Sequence, residues 1–338
     1  MRRIAVINQK GGVGKTTTAV NLGAALARAG NRVLLIDLDP QAHLSLHLGQ
    51  DPTAGLPGSY ELLTGSASIA KVRNKVGSNL WVVPASIDLA AAEVELVSVV
   101  GREVILRDLL DQHVGGTNGR IPQYDYVLMD CPPSLGVLTL NGLCAAKEVF
   151  IPLQPHYLAL QGLGKLLETV SLVSRRINPE LKVTGIVVCM HDAGTRLASE
   201  VIDDVRSFLE AARNTPVPWA DARLFETMIR RNIKLAEAPS YGKSIFDYAA
   251  DSNGAKDYEQ LARQVQGLTD PPGDAQASVP DAPPVPEPAQ TPVAEPGHSP
   301  ARETDVSPAA ETEDPAPRET DASSPLPAAD PLPAEQQP

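Results

Sequence analysis

Two lysines, two threonines and three glycines crowd into Gln9-Lys10-Gly11-Gly12-Val13-Gly14-Lys15-Thr16-Thr17. Glycine-rich backbone can turn its N–H groups inward around an anion, and a helix starting at the end of the run adds the positive end of its dipole. The chemistry such a cradle suits is phosphate binding. In that setting Lys15 supplies a point charge to the β- and γ-phosphates, and the Thr16 hydroxyl is placed to hold Mg²⁺. A nucleotide site of this kind also needs carboxylates near the metal and near an attacking water. Two apolar runs end in them, Asp37-Leu38-Asp39-Pro40-Gln41 and Asp130-Cys131-Pro132-Pro133-Ser134. Asp130 fits the role of holding Mg²⁺ through water.

These residues need elements to bring them together. Short β-branched runs at 4–7, 33–37, 80–83, 126–130, 149–153, 183–190 and 222–228 read as strands. Several are apolar nearly throughout, as expected of strands covered on both faces. Between them lie helical patterns at 15–29, 90–112, 138–147, 163–176 and 196–212, with a last helix at 255–266. The first is expected to end on a left-handed cap at Gly30-Asn31. Alternation of strand and helix predicts an α/β fold with a doubly wound, mostly parallel sheet flanked by helices. In such a sheet the carboxyl ends of the strands face the ligand crevice, so 37–41 and 130–134 land beside the phosphate loop.

Composition sets the boundaries. From Asp270 onward there are 14 acidic residues, 2 arginines and 18 of the 31 prolines. That stretch cannot bury enough apolar surface to offset the entropy of ordering. The expectation is a folded domain over 1–268 and a disordered acidic Pro/Ala-rich tail over 269–338. The tail carries the whole formal net charge of −12, so the body balances to zero and its acidity does not argue against an anionic partner. Three scattered cysteines, Cys131, Cys144 and Cys189, lack CxxC spacing and suit a reducing compartment without structural zinc. No run of 18 apolar residues occurs, which predicts neither a membrane span nor a secretory signal. His43 and His47 have a metal-capable spacing, but no Glu or Cys completes a set, and a helix packed on the sheet is the expectation there.

The loop departs from the GxxxxGK[ST] pattern, with Gln9 where glycine is expected and Lys10 next to it. A spare lysine five residues before the phosphate lysine marks the deviant Walker A group of P-loop NTPases, and the chain resembles the ParA/MinD-type ATPases. Three more segments resemble the ParA/Soj branch: 37–41, Asn79-Leu80-Trp81-Val82-Val83-Pro84-Ala85-Ser86, and Arg231-Asn232-Ile233-Lys234-Leu235-Ala236-Glu237-Ala238-Pro239-Ser240-Tyr241-Gly242-Lys243. The resemblance covers about residues 2–267 and is to the short, Soj-like type without an N-terminal helix-turn-helix. It implies an ATPase with ATP and Mg²⁺ as cofactors, contacted through Gly11, Gly12, Val13, Gly14, Lys15, Thr16 and Thr17. Lys10 then reaches the phosphates of a facing subunit in an ATP-bound sandwich homodimer. Asp39 orients the attacking water, and Asp37 at the strand end supports the metal's outer coordination layer.

The same resemblance implies non-specific DNA binding, stimulation of slow hydrolysis by a ParB-type centromere-binding protein, and a cytoplasmic, nucleoid-associated location. Segment 223–243 holds five basic residues against two acidic ones, a modest excess that dimerisation would double. Backbone contacts of this kind need no base readout and weaken steeply with salt. The candidates for DNA contact are Lys234, Arg231, Arg230, Arg196, Arg223 and Lys243. Two departures fall here. Relatives usually carry Asp-x-Arg-Thr where this chain has Asp192-Ala193-Gly194-Thr195, with Arg196 following, and Arg230 replaces a usual proline. A MinD-like membrane regulator would need a basic amphipathic C-terminal helix, whereas this chain ends in proline and acid. A metabolic ligase on the same scaffold would leave the 231–243 string unexplained. Chromosome, plasmid and protein cargo are not distinguished by these residues.

Overall fold

The computed structural model describes residues 1–115, 124–192 and 194–267. The tail expected to be disordered over 269–338 lies outside the described residues. Among the described residues nine strands form the sheet: β1 Arg2–Val6, β2 Val33–Asp37, β3 Asn74–Lys75, β4 Leu80–Val83, β5 Tyr126–Asp130, β6 Glu148–Leu153, β7 Lys182–His191, β8 Arg223–Leu224 and β9 Ile229–Arg230. Their order is β3-β4-β2-β5-β1-β6-β7-β8, and β9 pairs with the far end of β7. Every pairing is parallel except that of β3 with β4. The doubly wound parallel sheet expected from the strand-helix alternation is present.

The helices are α1 Lys15–Arg28, α2 His43–His47, α3 Ser59–Leu63, α4 Ile69–Val72, α5 Leu89–Glu95, α6 Ile105–Gly115, α7 Val137–Ala145, α8 Ala159–Arg176, α9 Arg196–Ala212, α10 Ile233–Glu237, α11 Ile245–Tyr248 and α12 Asn253–Gln266. They divide between two buried apolar layers. One layer gathers Ala5, Leu34, Ile36, Val127 and Met129 against the helices from α3 to α9. The other gathers Ile4, Val6, Val33, Leu35 and Leu128 against α1, α2, α10, α11 and α12. Successive strand residues point to opposite faces, so covering both faces removes any polar alternation. Gly30 closes α1 at φ 91, as its position predicted.

Two expected elements are broken. The helix expected over 90–112 splits into α5, a short 3₁₀ turn at Leu96–Ser98, and α6. Val97, Ser98, Val99 and Val100 are poor helix formers, and Gly101 adopts φ 75, so the chain turns before restarting. The strand expected over 222–228 is realised only as β8 at Arg223–Leu224, and β9 starts just beyond it at Ile229. Between them the Phe225 ring fills the space left by Gly185, where a Cβ would stand 2.1 Å from it, and packs on Phe150 at 5.3 Å between centroids. The Phe225 N–H still donates to the Ile186 carbonyl of β7 at 2.9 Å, and the ladder then lapses until β9.

Candidate functional site

The parallel register sets the carboxylates. Val6 is level with Asp130 across β1 and β5, and Asp37 is level with Asp130 across β2 and β5. Three strand ends therefore meet where β1 runs into the glycine loop. Gly14 is the N-cap of α1 at φ 93, a left-handed conformation that favours glycine, and Gly12 has φ 72. Below Gly14 lies Cys189 of β7, 3.5 Å from where a Cβ would stand.

Lys15, Thr16, Asp39 and the loop glycines line one cavity of about 1020 Å³. The Lys15 ammonium donates to the Lys10 carbonyl at 3.1 Å. Burial holds it below its ordinary pKa, against the opposing pull of Asp130 and Asp39. Thr16 Oγ1 donates to Asp130 Oδ2 at 2.7 Å, while Asp130 Oδ1 is buried with no hydrogen-bond partner. Burial, reinforced by Asp37, raises the Asp130 carboxyl well above the usual carboxylate range. A buried carboxylate oxygen without a partner is costly. Beside a threonine hydroxyl and a phosphate cradle, this donor set fits a hydrated Mg²⁺.

Asp37 is placed differently. Its Oδ2 accepts from the Ser45 N–H at 2.9 Å and the Ser45 hydroxyl at 2.6 Å, and its Oδ1 accepts from the Asp39 N–H at 3.1 Å. Ser59 donates to its carbonyl, and Ser45 in turn accepts from the Ala85 N–H at 2.8 Å. Burial pushes its carboxyl up to about 6, against the Ser45 bonds. Its oxygens thus tie the loop of Asp39 to α2, and Ser45 carries the tie on to Ala85 just past β4. Asp39 itself is half-buried and braces its own turn through the Gln41 N–H at 3.0 Å.

Lys10 is not in that cavity. Its exposed ammonium contacts His156 Nε2, at a separate recess of about 310 Å³ shared with α8. The backbone N–H of Lys10 donates to Asn8 Oδ1, which fixes the bend of the loop. Val13 is buried, and Thr17 sits at the cavity wall.

Several cavity residues were missed by sequence reasoning. Besides the phosphate loop, the cavity is lined by His43, Leu46, Gly49 and Gln50 and by Pro239, Ser240, Tyr241 and Gly242. Gly49 and Gly242 touch, with φ 69 and φ 63, and a Cβ on Gly242 would stand 2.9 Å from Gly49 Cα. The Glu237-Ala238-Pro239-Ser240-Tyr241-Gly242-Lys243 run was visible as a string, but nothing in it said that its middle lines the nucleotide crevice. Ser45, Ser59 and Asn21 carried no signal either. Asn21 Oδ1 accepts the Ile245 N–H at 2.8 Å and so holds α11 on α1.

The basic residues sit in different local settings. Arg230 is clamped by Asp257, which accepts from its backbone N–H at 3.0 Å and from its guanidinium. Lys234 pairs with Glu237 at 2.9 Å and stands over the Tyr248 ring. Arg196 pairs with Glu200 at 2.8 Å. Arg231 and Lys243 are exposed. Arg223 is level with Gly185 on β7 whereas Arg230 is level with His191, so the two stand roughly 20 Å apart along the sheet at 3.3 Å per residue. The structure brings Arg230 and Arg231 to the end of β7 and leaves Arg223 away from them.

A parallel sheet with a glycine loop between β1 and α1, a lysine, a threonine and a strand-end aspartate defines a P-loop ATPase. Residues 1–183 match the AAA_31 family model, described as an AAA domain. The chain is 48% identical over 265 residues to the chromosome-partitioning ATPase Soj of Treponema pallidum, spanning 78% of this chain and 96% of that one. It is 43% identical to the sporulation initiation inhibitor protein Soj of Bacillus subtilis, over 78% of this chain and 97% of that one. Among solved structures, cobyrinic acid a,c-diamide synthase from Mycobacterium smegmatis with bound ATP analog and magnesium is 37% identical, with a TM-score of 0.64 over 79% of this chain and 94% of that one. The chain belongs to the ParA/Soj family of chromosome-partitioning ATPases. Among the described residues, no helix is long and apolar enough to cross a membrane.

Proposed function

We propose that this protein is an ATP-dependent DNA-segregation switch, in which nucleotide state controls attachment to DNA. The observation that carries this reading is the continuity of one segment. Residues 239–242 wall the nucleotide cavity, while Arg231, Lys234 and Lys243 are exposed on either side of that wall. A change in the cavity acts directly on the chain that bears the cations.

ATP·Mg²⁺ would sit in the glycine cradle, with Gly11 to Gly14 and Thr17 offering backbone N–H groups, and Lys15 facing the phosphates. Thr16 and Asp130 would hold the metal, which when bound neutralises phosphate charge. Asp39 would orient the attacking water, and Asp37 would keep Asp39 in place. Lys10 stands outside its own chain's phosphate cavity, which supports its reaching the phosphates of a second copy in a sandwich homodimer. Hydrolysis would be slow, because among the described residues no arginine lines the phosphate cavity, and a ParB-type partner would accelerate it and release the DNA. DNA would be held without base readout by Arg231, Lys243 and Lys234 foremost, with Arg196 at the side and Arg230 and Arg223 supporting. The folded body would be 1–268, with 269–338 a disordered acidic tail, and the protein would be cytoplasmic and nucleoid-associated.

The deciding experiment is DNA retention with ATP, ADP or no nucleotide across a salt series. Retention with ATP alone, falling steeply with salt, is the expected result. Equal retention in all three states would remove the switch. Vesicle sedimentation with ATP tests the MinD-like alternative, for which binding is required, and a thermal-shift screen with metabolites tests a ligase.

A further inference from the structure

Strand β9 carries Arg230 and leads into Arg231, and it hangs from two elements. One is the end of β7, where Cys189 is level with Ile229 and the His191 carbonyl accepts the Arg231 N–H at 3.2 Å. The other is α12, where Asp257 accepts the Arg230 N–H and guanidinium. One residue of the phosphate helix touches both carriers. Thr18, one turn into α1 and fully buried, has its hydroxyl 3.1 Å from the Tyr258 hydroxyl of α12 and 3.6 Å from the Cys189 thiol of β7. Tyr258 is also fully buried and adjoins Asp257 in sequence, and Cys189 packs under Gly14.

We infer that the Thr18–Tyr258–Cys189 junction links phosphate occupancy to the seat of the basic strand β9, with Tyr258 as the positioning residue. The physical ground is packing around a directional bond. Close-packed interiors do not absorb displacements gradually, so a shift of the α1 N-terminus on phosphate binding is passed to whatever is bonded to it. Elsewhere the buried side chains of α1 and α12 belong to one apolar layer, whose contacts carry no directional bond. The hydroxyl pair is buried and directional, and losing it leaves an unsatisfied polar group, so α12 follows α1 at that point. Asp257 then carries the movement to Arg230. Spatial intermediacy alone does not establish coupling, and the test must therefore read the response of β9 itself. The consequence for DNA rests on the function proposed above, but the link does not.

The experiment is amide hydrogen exchange at Arg230 and Arg231 in the full chain, with and without a non-hydrolysable ATP analogue and Mg²⁺. In the native sequence the analogue is expected to change exchange at these amides by about fivefold or more, the lower edge of ordinary coupling between sites. Tyr258→Phe should reduce that response to less than about twofold while binding the analogue with an affinity within about threefold of native. Thr18→Ser, which keeps the hydroxyl, should preserve the response. Thr18→Val should abolish it, and it carries the test if Tyr258→Phe does not fold. Unresponsive amides in the native chain, or an undiminished response in both Tyr258→Phe and Thr18→Val, would overturn the link. DNA retention measured alongside separates the two ideas: responsive amides without retention would sink the DNA reading and leave the junction standing.

Discussion

The phosphate end and the basic segment solve the problem of placing charge in opposite ways. At the phosphate end the positioning is backbone: Gly12 and Gly14 hold left-handed turns, α1 starts at Lys15, and parallel register sets Asp130 beside the loop. One buried oxygen of Asp130 stands without a partner, ready for a ligand. Along the basic segment, positioning is done by other side chains. Arg230 is held by Asp257, 27 residues on, while Lys234 and Arg196 already face their own carboxylates. Counting cations therefore overstates the second region far more than counting site residues overstates the first.

Five substitutions can break or sharpen this contrast. The largest effect belongs to Lys15→Ala, which removes a charge-assisted contact in a buried cradle. Nucleotide affinity should fall about a hundredfold, roughly 3 kcal/mol, in a calorimetric titration, and native affinity would refute the cradle. Asp39→Ala should cost turnover about a hundredfold while sparing nucleotide binding, leaving the protein on DNA in a steady-state ATPase and retention assay. Turnover at the native rate would remove Asp39 from the chemistry.

Arg230 and Arg231 are adjacent but should fail differently. Arg230→Ala strands the Asp257 carboxylate, whose side chain is only 6% exposed, and urea unfolding should show a loss of roughly 1–3 kcal/mol, given that the arginine is half-exposed. Arg231→Ala should leave stability within about 0.5 kcal/mol and instead weaken DNA retention, lowering the salt slope by about one. Reversed outcomes would exchange their roles.

The smallest effect is a pH dependence with two opposed parts. Burial pushes His47 down to about 4, so its contribution is present above its unfolded value of 6.5 and lost as pH falls toward 4. Burial raises Asp37 to about 6 from 3.8, so its contribution is present at the acid end and lost as pH rises through 6. Asp130, raised in the same direction, adds to the Asp37 side, so the native nucleotide-free protein should lose stability as pH rises from 4 to 6.5. His47→Leu should tilt the profile further toward the acid side by on the order of 2 kcal/mol across that window. An unchanged profile would mean that His47 is not buried in solution.

The legible parts of the molecule were those whose geometry is written locally. Strands β2, β4 and β5 and helix α9 fall at the expected residues because uninterrupted apolar runs or a clear amphipathic period define them. The illegible parts depend on distant partners. The break after α5 follows from consecutive valines and Gly101, but the helical period of the surrounding stretch masked it. The short helices α3, α4, α10 and α11 are held by tertiary contacts such as the Asn21 bond to Ile245, with too few residues for a periodic signal.

The amino-acid sequence alone determined that a parallel α/β sheet presents a phosphate loop with Lys15 and Thr16, because strand, turn and helix are short-range structures. It also determined that carboxylates at 37, 39 and 130 end their strands near that loop. Only the tertiary structure decided what each carboxylate does: Asp130 keeps a free oxygen, while Asp37 spends both of its own on Ser45 and Asp39. Only it decided that Pro239 to Gly242 wall the nucleotide cavity, and that Arg230 answers to Asp257. Side-chain pairing depends on which surfaces meet after the sheet has closed, and residue types in order do not carry that information.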